Sequence, residues 1–109
     1  MIVDARAAGR DPIFYQGGAA MIFHAPASEI TPKDDCVIAS TTVGLLARTM
    51  GLEATFIAMF EWAANAHPPL QAALSLPEGN KVFSVIVLGY PKFTYQRAVD
   101  RRPIPVRWE

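Results

Sequence analysis

The apolar positions of this chain gather into separate runs punctuated by glycine and proline. Ala19 to Ala25 follows Gly17-Gly18 and stops at Pro26, the pattern of a strand buried on both faces. Ala54 to Phe60 reads as a second strand, with Phe56, Ile57, Met59 and Phe60 apolar. Lys81 to Leu88 is the third, dense in branched and aromatic side chains. A helix lies between the first two. Thr31 suits its N-cap, Pro32 its first position, and Asp34 and Asp35 put negative charge on its first turn. Arg48 supplies a cation in the last turn and Gly51 the stop after Met50. Cys36 to Ala47 offers no charged face, so neither side of this helix suits water. Ala39, Gly44 and Ala47 permit close approach of neighbouring backbones. The expectation is a central helix, covered on one side by its own domain and on the other by a second subunit.

The remaining segments are shorter. Met1 to Ala8 looks like the end of a helix, stopped by Gly9 and an Asp11-Pro12 turn. Glu61 to Ala66 is indeterminate between helix and strand. His67-Pro68-Pro69 opens a short helix through Leu76, closed by the Pro77-Glu78-Gly79 turn. Beyond Pro91, Pro103 and Pro105 bar a central strand but allow an extended edge or an arm. Strands alternating with helices predict a single α/β or α+β sandwich domain with a meagre sheet of three strands.

Composition adds an oligomer. Hydrophobic residues make up 51% of 109, more than a small monomer readily hides. Ten basic and ten acidic side chains balance, so no polyanionic partner is indicated, and no aromatic platform for nucleic acid is visible. The charge is uneven, however. Lys92, Arg97, Arg101, Arg102 and Arg107 all follow Pro91, a basic tail that either holds phosphate or is simply solvated. The single Cys36 excludes an internal disulfide and fits a reducing, cytoplasmic setting as an inert buried thiol. Met1 to Arg10 lacks the apolar centre of a signal peptide, and no apolar run reaches the roughly 20 residues that span a bilayer. His24 and His67 have no partner at metal spacing, and His24 reads as structural. No catalytic constellation, dinucleotide fingerprint, phosphate loop or nucleophile elbow is present, so no side chain is assigned a catalytic role and none a metal.

Several short motifs nevertheless occur in a telling order. They are Gly9-Arg10-Asp11-Pro12-Ile13-Phe14, then His24-Ala25-Pro26, and a long helix ending in Gly51-Leu52. Ala54 to Phe60, Leu76-Pro77-Glu78-Gly79 and Leu88-Gly89-Tyr90-Pro91 complete the series. In this order the chain resembles the C-terminal half of the FMN-dependent nitroreductase family. The resemblance implies an α+β fold of nitroreductase-like α/β sandwich type over residues 1–109, N-terminally truncated. Three main strands are followed by a basic arm, residues 92–109, that packs on the partner subunit. It further implies a homodimer with FMN at its interface, taking hydride from NAD(P)H and reducing nitroaromatic or quinone-like acceptors.

By the same resemblance, the backbone of Phe56, Ile57, Ala58 and Met59 lies against the isoalloxazine, and Arg97, Arg101 and Arg102 neutralise the FMN phosphate. The family often has glycine where Ala58 or Met59 stands here. Its Arg-rich N-terminal segment has no counterpart, so FMN binding is expected to be weak or absent. The alternative is a non-catalytic dimerisation or small-ligand-binding module on the same scaffold.

Overall fold

A computed structural model describes residues 2–109. Met1, on which the first expected helix opens, lies outside the described residues. The elements run α1 (Ile2–Ala7), β1 (Ala19–Pro26), α2 (Pro32–Thr49), β2 (Glu53–Phe56), α3 (Ala58–Ala66), α4 (Pro68–Leu74) and β3 (Asn80–Gly89). The three strands form one antiparallel sheet in the order β1-β3-β2. The last strand in the chain is thus the middle one in space. Ala19 pairs with Leu88 on one side of β3, and Glu53 with Gly89 on the other.

β3 is the structural centre because it is the most continuously apolar segment. Val82, Val85 and Ile86 are almost wholly excluded from solvent, each such burial being worth about 1.5–3 kcal/mol. The pairing of β1 with β3 passes from Phe23–Ser84 to His24–Val82, skipping Phe83. This bulge shifts the alternation, so Val82 joins Val85 and Val87 on one face while Ser84 and Ile86 take the other. The first face carries a core of Ile57, Ala64, Val82, Val85 and Val87, flanked by Phe14, Phe60 and Leu74. Phe14 and Phe60 meet edge to face with centroids 4.9 Å apart. The second face is covered by α2. There the Ser84 hydroxyl donates to Ser40 Oγ at 2.8 Å, and Ser40 donates onward to the Val37 carbonyl.

Helix α2 keeps the expected bounds. Gly51 follows it with φ 76°, and Leu52 N–H donates back to the Ala47 carbonyl at 2.9 Å, closing the last turn. Thr31 sits at the N-cap without bonding the helix backbone through its side chain; its hydroxyl lies 3.4 Å from Asp35 Oδ2 instead. The inward side is made of small residues, with Cys36, Ser40 and Ala47 buried and Gly44 against Ala54. The large apolar residues point away. Ile38, Leu45, Leu46 and Met50 are each more than half exposed.

Three expectations are corrected. The second strand does not run from Ala54 to Phe60; β2 ends at Phe56, and Ala58–Ala66 is helix α3. Ile57 N–H makes the last bond to β3, donating to the Val85 carbonyl at 2.9 Å. After it the alanines favour helix and place Ala64 inward. β1 is not buried on both faces: it is an edge strand paired along one side only, and most of its residues are exposed. Helix α4 ends at Leu74 rather than Leu76, because Ser75 turns left-handed at φ 52°.

The tail beyond Gly89 is extended and exposed, with neither helix nor strand. It gives the chain a radius of gyration of 17.0 Å, against about 13 Å for a compact domain of this length.

Candidate functional site

The site begins with the loop that leads into β1. Asp11 precedes a proline and turns the chain by accepting three backbone N–H groups. Ile13 and Phe14 donate to Oδ1 at 3.0 and 2.9 Å, and Gln16 donates to Oδ2 at 3.2 Å. The bonds from Phe14 and Gln16 above all hold the Asp11 carboxyl below its ordinary pKa. Inside this grip Tyr15 and Gln16 adopt φ of 53° and 58°. Gly17 follows where a Cβ would collide with Val87 Cγ1, so only glycine fits against the sheet.

This loop forms one wall of an open cleft of about 920 Å³. The start of β2 and the end of β3 complete its lining, with Glu53, Thr55, Val87 and, just beyond, Tyr90. Its surface is chiefly apolar and aromatic. Among the described residues Glu53 is the one charged side chain lining it, and Arg48 lies 3.6 Å from that carboxylate. A smaller hollow of about 250 Å³ adjoins it, lined by Pro12, Ile13 and the stretch from Thr55 to Met59. Tyr15, Thr55 and Ile57 border both.

The residues expected from the sequence divide accordingly. Phe56, Ile57, Ala58 and Met59 come together at the smaller hollow, and Ile57 reaches the cleft as well. Arg97, Arg101 and Arg102 stand exposed on the tail and line neither space. The sequence marked Asp11 as a turn and as part of one family-like motif, without a site role, and gave no sign of Tyr15, Gln16 or Glu53. Asp11-Pro12 carried a readable turn signal; nothing in a tyrosine or a glutamine announces a left-handed backbone.

Other candidate groups are quiet. The Cys36 thiol is buried, and burial, with the Asp35 carboxylate beside it, pushes its pKa up. His24 Nδ1 pairs with Asn80 Nδ2 at 2.7 Å. No group of three or more metal-type ligands occurs among the described residues, and no helix among them is long and apolar enough to cross a membrane.

No family model and no curated protein sequence matches the chain. Solved structures do. A nitroreductase with bound FMN from Bacteroides fragilis superposes on 94% of this chain with a TM-score of 0.72 at 20% identity. An FMN-dependent nitroreductase from Clostridium difficile matches 79% of it with a TM-score of 0.63 at 21% identity. The chain has a nitroreductase-like fold. At these identities the likeness is one of fold. The nitroreductase-like chain spans 59% and 53% of the lengths of those two proteins.

Proposed function

We propose that this chain serves as an FMN-dependent NAD(P)H oxidoreductase of nitroreductase type, acting as a homodimer. The observation that carries the reading is the superposition of 94% of the chain on an FMN-bound nitroreductase. The cleft suits one part of the cofactor better than the other. Its aromatic, largely apolar lining fits an isoalloxazine ring, whereas Glu53 opposes a phosphate and no cation lines the space among the described residues. The phosphate therefore calls on Arg97, Arg101 and Arg102 of the tail, from the same chain or its partner, through guanidinium forks.

The backbone donors at the ring edge are narrowed by the fold. Ile57 N–H is committed to Val85, which leaves the first-turn N–H groups of α3, at Ala58 and Met59, to face a ligand in the smaller hollow. Donors there stabilise negative charge building on a reduced ring. When bound, FMN supplies hydride acceptance from a nicotinamide cofactor and electron delivery to a nitroaromatic or quinone-like acceptor. The outward apolar face of α2 supports the homodimer, since Ile38, Leu45, Leu46 and Met50 would otherwise meet water. The tail from residue 92 is the arm that reaches the partner. A buried single thiol suits the cytoplasm.

Titrating FMN against the protein by flavin fluorescence tests the reading. We expect micromolar affinity, weakened about ten- to a hundredfold by the Arg97→Ala/Arg102→Ala double substitution, and FMN-dependent oxidation of NAD(P)H. Failure to bind flavin would favour a second reading, a dimerisation or small-ligand module on the same scaffold. The lone carboxylate in the cleft is the observation behind that alternative.

A further inference from the structure

The loop from Asp11 to Gly17 holds two consecutive ordinary residues, Tyr15 and Gln16, in the left-handed backbone region. Tyrosine and glutamine remain there only when their surroundings over-determine the conformation, and such strain concentrates where a ligand is bound. Two constraints are visible. The Asp11 carboxylate takes three backbone N–H groups on its two oxygens, and Gly17 is pressed against Val87 where no side chain fits. Asp11 itself lines neither the cleft nor the smaller hollow, whereas Tyr15 borders both. The carboxylate thus acts at a distance, and the aromatic ring is what it sets in place.

We propose that Asp11 is a positioning residue that fixes Tyr15 on the ridge between the two hollows as a stacking surface for a flat aromatic ring system. The inference rests on the flavin reading above and deepens it by naming which side chain orients the ring. The chemistry of the lining agrees. Phe14, Tyr15 and Tyr90 offer aromatic surface, while the Gln16 amide and the Thr55 hydroxyl supply neutral hydrogen-bonding groups. A neutral, planar, heteroatom-bearing ring gains from all of these, whereas no cationic side chain stands among the described lining residues to offset an anionic group.

The test titrates lumiflavin, the ring without its phosphate tail, and FMN against the 109-residue chain and four variants. Tyr15→Ala should weaken lumiflavin binding by about fivefold or more, the scale of one lost aromatic contact. Tyr15→Phe should keep the affinity yet raise the emission of bound flavin, because a stacked phenol quenches flavin fluorescence and a phenyl ring does not. Asp11→Asn retains one carbonyl oxygen for Ile13 and Phe14 but turns an amide N–H₂ toward Gln16 N–H. It should weaken binding about as much as Tyr15→Ala while leaving the ring in the protein.

Adding Gln16→Gly to Asp11→Asn should recover much of the loss, since glycine takes positive φ freely. Circular dichroism on each variant establishes that the fold is kept. Should Tyr15→Ala or Asp11→Asn unfold the chain, the emission change in Tyr15→Phe decides. Equal affinities for the wild type, Tyr15→Ala and Asp11→Asn, with both flavins bound, would overturn the positioning role alone. Absence of binding by either flavin would remove the flavin reading and this inference with it.

Discussion

Asn65 holds Val82 by both ends of its side-chain amide. Its Nδ2 donates to the Val82 carbonyl at 2.6 Å, and its Oδ1 accepts the Val82 N–H at 3.0 Å. β2 pairs with β3 only as far as Ile86, and Ile57 N–H satisfies Val85. Beyond that point Asn65 stands in for a strand. Helix α3 therefore does two jobs: it places Ala64 in the core and completes the ladder of β3 with a side chain.

Asn65→Ala leaves both backbone groups of a fully buried residue without a partner. The expected loss is about 2 kcal/mol or more, or roughly a 10 °C fall in the melting temperature. Asn65→Asp keeps the acceptor and loses the donor, so it should unfold at an intermediate temperature. A thermal melt in which both variants match the wild type would remove the strand-substitute role.

The two serines between α2 and β3 are not equivalent. Ser84 donates to Ser40, and Ser40 donates to the Val37 carbonyl. Ser40→Ala strands a buried Ser84 hydroxyl and should cost about 1–3 kcal/mol. Ser84→Ala leaves Ser40 its acceptor at Val37 and should cost distinctly less. Urea unfolding of the two variants compares them directly, and the reverse order would contradict the assigned donor direction.

Thr42 lies on the outward side of α2, between Ile38 and Leu45, its hydroxyl bonded to the Ile38 carbonyl. If that face is the dimer interface, Thr42→Glu buries a charge on each subunit, and sedimentation velocity should show monomer. Removing the chain after Tyr95 should weaken the dimer without abolishing it, since the exposed Ile104, Val106 and Trp108 of the arm are lost. A dimer indifferent to both changes would mean that another surface joins the subunits.

Acid should loosen the loop that leads into β1. The folded-state pKa of Asp11 lies below its ordinary 3.8, so its contribution is present above 3.8 and is lost as pH falls through the depressed value. The protection of the Phe14 and Gln16 amides, taken relative to their intrinsic exchange rates, should therefore hold at neutral pH and fall only in acid below 3.8. Asp11→Ala should remove that protection at every pH.

How far the fold could be read depended on how local its causes are. α2 and β3 were legible because caps, a stop glycine and a branched apolar run all act within a few residues. α3 was not. Ala54 to Phe60 is one apolar run on paper, but the Ile57–Val85 hydrogen bond divides it into strand and helix, and that bond depends on a residue far along the chain. β1 read as doubly buried because its composition is apolar, whereas α2 is the one helix among the described residues that packs on it, which leaves its other face uncovered. Family resemblance singled out Phe56 to Met59, which line the smaller hollow, and turn chemistry singled out Asp11. Tyr15, Gln16 and Glu53 gain their places only from tertiary structure.

The central position of β3 has a consequence for biosynthesis. β1 and β2 leave the ribosome first, yet neither borders the other; each is bonded to β3 alone. Until Asn80–Gly89 emerges, both are unpaired apolar segments in a nascent chain, the state in which chaperones compete with aggregation. Ala19 must then find Leu88 across most of the chain, a closure that slows folding relative to local pairing. A translational pause before Val82 therefore leaves nothing onto which the sheet can form.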